Sequence, residues 1–141
     1  MKKLKLFPVV FLSLILLTFT SCEKDKPLAE AIIGTWEIQE RTIIVYENGI
    51  KKESHTEFLE ADEMVFQFVS GGTGIYYEYT SNHVFNWALA SATLVISNLF
   101  EEDLQAELTI DGDVMVFSYD ETDSQTPSVK YEYYFTGYRV D

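Results

Sequence analysis

The sequence predicts an all-β domain, an antiparallel sandwich or barrel, and three observations support this prediction. From Gly34 onward, apolar and polar residues alternate in short segments rich in β-branched and aromatic side chains. Turn sequences separate these segments at roughly the spacing that is typical of sandwiches and barrels. No stretch between them is long enough for a crossover helix, so neighbouring strands are expected to be antiparallel.

About eight or nine short strands are expected from this pattern. Before the first turn, strand-forming residues are expected at 35–40 and at 43–46. The later strands are expected at 50–59, 63–69, 75–80, 83–90, 93–97, 104–110, 114–119 and 129–140. The Asn-Gly pair at 48–49 is the strongest hairpin signal, and Asp-Gly at 111–112 predicts another tight turn. Residues 70–74 form a glycine turn, and a second hairpin is expected around 81–82. Residues 120–127 are the longest polar loop.

Alternation assigns a large, aromatic-rich set of side chains to one face of the sheet. An open sheet would expose much of this set, whereas two packed sheets or a closed barrel would cover it and remove the edge strands. The predicted inward set is Trp36, Ile38, Met64, Phe66, Phe68, Phe85, Trp87, Leu89, Leu94, Ile96, Leu108, Ile110, Met115, Phe117, Tyr133 and Phe135.

The N-terminus has the layout of an export signal. A basic start at residues 1–5 precedes an almost unbroken apolar run at 6–20, which is too short to span a bilayer. Cys22 follows, and it is the only cysteine of the chain, so no internal disulfide is possible. The segment resembles a bacterial lipoprotein signal, which implies cleavage before Cys22 and acylation of its thiol. The alternative is a spare thiol near a signal-peptidase site.

Three regions follow from this interpretation. Residues 1–21 are the signal peptide, 22–33 a lipidated tether with a short helix, and 34–141 the β domain. Charged residues and Pro27 mark the tether. A helical turn or two is expected between Pro27 and Ile33, because Pro suits a first turn and Gly34 supplies a stop.

The charge of the chain is strongly negative. Its 141 residues include 10 basic and 23 acidic side chains, for a formal charge of −13. Removing residues 1–21, with three lysines and no acid, leaves 120 residues with a formal charge of −16. This excess argues against nucleic-acid binding and against attraction to an anionic membrane, so a lipid would have to supply membrane attachment. Solubility is the ordinary reading of such a charge.

Several short motifs resemble those of lipocalin-like lipoproteins of Bacteroidetes-type bacteria. Residues 33–38 (Ile-Gly-Thr-Trp-Glu-Ile) are similar to the Gly-x-Trp opening of lipocalins. A Phe-Gln-Phe strand at 66–68, a Gly-Thr-Gly turn at 72–74 and Phe-Asn-Trp-Ala-Leu at 85–89 follow in the order that is typical of the family. Residues 133–139 are similar to its last strand.

The resemblance implies an up-and-down eight-stranded barrel with a closed end, an open mouth and a non-enzymatic role. That role is the binding of a small hydrophobic or amphipathic molecule at the cell envelope, in the outer membrane of a Gram-negative bacterium. It also implies that Arg139 lies over Trp36 and closes the barrel; otherwise Arg139 is a solvated terminal charge.

An eight-stranded barrel either fills its interior with side chains or holds one small ligand. The candidate pocket lining is Phe66, Phe68, Tyr76, Phe85, Trp87 and Phe117. A filled barrel would instead act as an accessory surface lipoprotein through protein or glycan contacts.

No residue pattern indicates catalysis, a metal or a cofactor. His55 and His83 lie on different predicted strands without the ligand spacing of a zinc site. The Asp-rich segments 111–113 and 120–123 lack the spacing of a calcium loop and are typical of turns. No activated nucleophile is evident, and a hydrolase that uses cross-strand glutamates is the weakest hypothesis.

Overall fold

A computed structural model describes residues 26–141 of the protein. Its elements are α1 (Leu28–Ala31), β1 (Gly34–Glu47), β2 (Ile50–Phe58), β3 (Val65–Val69), β4 (Thr73–Glu78), β5 (Ser81–Ala90), β6 (Thr93–Ser97), β7 (Leu104–Asp111), β8 (Val114–Thr122) and β9 (Val129–Arg139). Every strand pair is antiparallel, which confirms the predicted fold class. No helix of the described residues has the length and apolar character needed to cross a bilayer.

Eight strands close into an up-and-down barrel, and β2 is an additional strand outside the ring. The ring runs from β1 through β3 to β9 in chain order and closes because β9 pairs with β1. One edge of β1 serves two partners in succession. Its first residues, Gly34–Glu37, pair with β3, whereas Glu40–Glu47 pair with β2. The β1–β2 hairpin therefore extends beyond the ring.

The strand directions define the two ends of the barrel. At the closed end, β1 begins, β9 ends, and short turns join β3 to β4, β5 to β6 and β7 to β8. At the mouth lie the β4–β5, β6–β7 and β8–β9 connections. Apolar side chains fill the barrel between the two ends. Those buried are Ile32, Trp36, Ile38, Val65, Phe66, Phe68, Tyr76, Phe85, Leu94, Ile96, Ala106, Leu108, Met115, Phe117 and Phe135.

Helix α1 and two side chains cover the closed end. The Trp36 indole N–H donates to the Ile32 carbonyl at 2.8 Å. The guanidinium carbon of Arg139 lies 4.2 Å from the centre of the Trp36 ring, which is the arrangement that the family resemblance implies. Arg139 also donates to the carbonyls of Ile33 at 2.8 Å and Ala31 at 2.7 Å, so it ties the last strand to α1 and its C-terminal end. Because residues 26–141 close their own ring and core, they contain the contacts that an independent domain needs.

Two predicted boundaries are wrong. The second hairpin turns at Tyr79 and Thr80, not at 81–82, because Ser81 already pairs with Glu78. Tyr79 adopts a left-handed conformation with φ 52°, which sequence patterns do not anticipate for an aromatic residue.

The long polar loop is shorter than predicted. Strand β8 continues to Thr122, which lies opposite Lys130, so the strand includes polar residues that the sequence assigns to the loop. The Asp123 carboxylate then accepts hydrogen bonds from the backbone N–H groups of Gln125 and Thr126 at 2.7 and 2.8 Å. This local turn begins the β8–β9 connection.

Candidate functional site at the barrel mouth

A β-bulge in β1 determines which side chains line the mouth. The register between β1 and β9 shifts between Ile38 and Glu40. Before the bulge, Trp36 and Ile38 point into the core and are fully buried. After it, Arg41 lies opposite the buried Phe135 and therefore shares its inward face. One extra residue thus brings a cation into the barrel mouth.

Arg41 is held by a carboxylate of the additional strand. Its Nε donates to Oε2 of Glu57 at 3.1 Å, and its terminal nitrogen contacts the same oxygen. Both side chains remain partly exposed, 35% for Arg41 and 43% for Glu57. Strand β2 therefore supplies the counter-charge of Arg41, and solvent reaches both members of the pair.

Three tyrosines share the inward face of the barrel with this cation. Tyr76 comes from β4, Tyr119 from β8 and Tyr133 from β9. Burial raises the pKa of all three phenols, most directly by removing water from the phenolate form. The positive charge of Arg41 acts in the opposite direction on each pKa. Three neutral hydroxyl groups thus lie within electrostatic reach of one guanidinium.

Stacked aromatic rings connect the core to the rim of the mouth. Phe117 and Phe135 stack at 4.8 Å between ring centres. Tyr119 and Tyr133 stack next to them at 4.9 Å, and Tyr131 lies 6.4 Å from Tyr133. We call these five side chains the aromatic wall. Their rings offer an apolar surface that continues from buried to half-exposed positions.

The predicted pocket residues form one contiguous cluster, but they fill the barrel below the mouth. Phe66 lies at its centre, 4.9 Å from Tyr76, 5.9 Å from Phe85 and 5.8 Å from Phe117, measured between ring centres. Phe68 stacks on Phe66 at 6.0 Å and is 1% exposed. These rings are the floor of the mouth. Tyr76 is also one of the three phenols that share the inward face with Arg41, and Phe117 also belongs to the aromatic wall.

Trp87 belongs to the same cluster but lies towards the closed end. Its indole contacts Phe68 edge-on at 5.7 Å. The indole N–H donates to the Thr73 carbonyl at 2.8 Å, beside the β3–β4 turn. Trp87 thus fixes a turn at the closed end.

A groove of about 670 Å³ extends the mouth sideways between β7 and β8. Pairing of these strands stops at Glu107 opposite Ser118, so the start of β7 and the end of β8 separate. Leu104 and Tyr119 are partly buried residues of its lining. The remaining lining comes mainly from acidic side chains on both sides and from Phe100, which is 49% exposed. The rim is therefore acidic, in contrast to the single cation inside.

Of the remaining predicted candidates, one histidine contacts a tyrosine of this site, and the others lie apart from it or outside the described residues. His83 stacks on Tyr76 at 6.4 Å, and His55 is exposed on β2. Within residues 26–141, no three His, Cys, Asp or Glu side chains form a group that could hold a metal ion. Cys22 lies outside the described residues.

Sequence reasoning missed Arg41, Tyr119 and Tyr133 as site residues. Strict alternation from Trp36 and Ile38 places Arg41 on the outer face, and only the bulge reverses this. One signal was present, because Arg41 is a single basic residue directly before the β-branched run at 42–45. Comparison with protein families, curated proteins and solved structures finds no match to this chain.

Proposed function

We propose that the protein is a lipid-anchored component of the cell envelope that binds a small amphipathic molecule in the barrel mouth. Acylated Cys22 would hold it in the outer membrane of a Gram-negative bacterium, with residues 23–26 as a tether. The proposed role is binding, with no nucleic acid, metal or organic cofactor involved.

The observation that carries this proposal is the position of Arg41 among three phenols above an aromatic floor. A guanidinium binds carboxylate, sulfonate or phosphate groups strongly, and neutral hydroxyl groups can add hydrogen bonds. The adjacent aromatic wall suits an apolar body. An amphipathic ligand with an acidic head therefore matches both parts of the mouth.

The depth of the floor limits the size of such a ligand. Phe66, Phe68 and Phe85 are at most 2% exposed and contact one another, so they occupy the middle of the barrel. A ligand would rest on this floor and against the aromatic wall. Ring-bearing molecules fit this surface better than long chains that need a deep channel.

Binding can be tested with 8-anilinonaphthalene-1-sulfonate, an anionic ring compound that fluoresces in apolar sites. Residues 26–141 should bind it, and Arg41→Met should weaken binding about tenfold or more, because the charge-assisted contact is lost. Lys130→Met is the matched control, since Lys130 forms ion pairs with Asp120 and Glu132 away from Arg41. Its affinity should stay near that of the parent.

Glu57→Gln gives a change of the opposite sign. It frees Arg41 from its carboxylate partner, so affinity for the anionic probe should rise several-fold. Equal affinity in the parent, Arg41→Met and Glu57→Gln would reject the mouth as the binding site. If the probe binds at the mouth, native mass spectrometry of the protein purified from its host would identify the natural ligand.

Membrane attachment has its own test. The full chain with Cys22→Ser should leave the membrane fraction after washing once its signal is removed, because no acyl chain remains. A Cys22→Ser protein that stays membrane-bound would reject lipid anchoring.

One observation favours a second candidate function. The aromatic floor leaves the centre of the barrel occupied by side chains, as expected for a filled-barrel surface lipoprotein that acts through protein or glycan contacts. In that case the anionic probe would bind weakly and without dependence on Arg41.

A further inference from the structure

Strand β2 is an edge strand that the ring does not cover. Eight of its nine residues pair with β1 along one edge, and Lys52 is the extra residue of a bulge. No strand of the described residues pairs with the other edge. All of its residues except Glu57 are exposed. Ile50 and Phe58, at its two ends, are 63% and 75% exposed. A long exposed edge with unpaired backbone groups is a site for strand addition.

The sequence of β2 is complementary to itself in the antiparallel direction. An antiparallel pair of identical strands about a twofold axis places residues opposite each other symmetrically around one central residue. With Ser54 at the centre, Glu53 lies opposite His55 of the other copy, where an imidazole N–H can donate to a carboxylate. Next to this pair, Lys52 lies opposite Thr56 at the bulge of β2, so the regular pairing is confined to the middle of the strand.

Other symmetric registers are less favourable. A centre at His55 places Glu53 opposite Glu57, which brings like charges together. A centre at Thr56 places Ser54 opposite Phe58 and leaves both lysines unpaired. The centre at Ser54, the middle of the strand, gives the longest overlap of the two copies.

The internal ion pairs of β2 are compatible with this arrangement. Glu57 contacts Arg41 of its own chain through Oε2, so this pair needs no partner from a second copy. Lys52 contacts Glu47 at 3.5 Å and keeps half of its side chain exposed.

We infer that β2 is a homodimer interface in which two copies of this chain pair antiparallel with Ser54 opposite Ser54. The two β1–β2 hairpins form one continuous sheet, and each barrel lies on the outer side of its own β1. The interface is isologous, since each copy contributes the same strand.

The mass of residues 26–141 in solution tests the interface. Light scattering across a concentration series at physiological ionic strength should show a dimer that dissociates on dilution. Glu53→Lys should shift dissociation to at least about tenfold higher concentration, because it places Lys opposite His. The swapped variant Glu53→His with His55→Glu keeps the same composition and restores the pair, so it should dimerise like the parent. A parent that stays monomeric up to its solubility limit overturns the inference.

Cysteine cross-linking tests the register. Residues 26–141 contain no cysteine, so an introduced thiol is the only one. Ser54→Cys should form an interchain disulfide under mild oxidation, because directly opposite Cβ atoms are within disulfide range. Thr109→Cys, on an exposed position of β7, controls for random collision and should cross-link far more slowly. Equal rates for both variants, or faster cross-linking of Thr56→Cys than of Ser54→Cys, would overturn the proposed pairing.

Discussion

The two ends of the barrel each combine an arginine with aromatic rings, but the surroundings of the two arginines differ. At the closed end, Arg139 stacks on the fully buried Trp36, donates to two backbone carbonyls and contacts the Asp113 carboxylate at 3.4 Å. At the mouth, Arg41 has one carboxylate partner, Glu57, and three phenols nearby. The closed end thus uses its arginine for structure, whereas the mouth leaves its arginine accessible.

The two arginines differ in the acceptors that bind each guanidinium group. The backbone carbonyls of Ala31 and Ile33 are fixed acceptors, and they lose their hydrogen-bond donor if Arg139 moves away. Glu57 is a partly exposed side chain, and an ion pair of this kind contributes little to stability. Substitutions at the closed end should therefore change folding, and substitutions at the mouth should change binding.

The largest effect on stability is expected for Trp36→Ala. This change removes a fully buried indole and its hydrogen bond to Ile32, and should lower the free energy of unfolding by about 3–5 kcal/mol. Urea denaturation measures it. Tyr131→Ala, at the rim, should cost about 1 kcal/mol or less, because its partly exposed ring contacts Tyr133 of the same strand at 6.4 Å and lies outside the buried core. Equal decreases in the free energy of unfolding for the two variants would contradict the distinction between the two ends.

Arg139→Ala should have an intermediate effect. Loss of the stack over Trp36 removes about 0.5–2 kcal/mol, so the melting temperature should fall by several degrees. In a Trp87→Phe background, the emission of Trp36 should change as well, because the cation leaves its ring. Unchanged melting and emission would make Arg139 an ordinary surface residue.

The smallest effect concerns the phenols of the mouth at alkaline pH. Because burial raises the pKa of Tyr119 above 10.0, the folded state keeps its proton where the unfolded state loses it. The stability that this provides is complete below about pH 10 and falls as the pH rises through the folded-state pKa.

Tyr119→Phe should therefore reduce the loss of stability between about pH 9 and about pH 11, as measured by urea midpoints at both values. A pH dependence identical in the parent and the variant would show that Tyr119 ionises alike in both states.

The sequence predicts most of the fold because inward and outward residues alternate within each strand. The aromatic cluster around Phe66 follows from this alternation, and the Asn-Gly turn at 48–49 is where the β1–β2 hairpin turns. Alternation alone cannot show that β2 leaves the ring. The composition of β2 does indicate it, because residues 51–57 are all polar and offer no apolar face to the core.

The candidate site was harder to predict because it depends on one irregularity. A bulge between Ile38 and Glu40 changes which residues of β1 point inward. The sequence at the bulge contains neither glycine nor proline, the residues that usually mark a break in a strand. Without the bulge, Arg41 faces solvent and the mouth loses its cation. Tyr119 and Tyr133 can be recognised as site residues only when Arg41 is known to share their face of the barrel.

The pairing of β1 with β9 has a consequence for when the chain can fold. Arg139 donates to a carbonyl 106 residues earlier, and β9 pairs with β1 along nearly its whole length. Closing so large a loop carries a high entropic cost, which slows folding. The barrel also cannot close until its last strand is available. A chain synthesised from its N-terminus therefore keeps its barrel open until β9 has been made, more than eighty residues after β1.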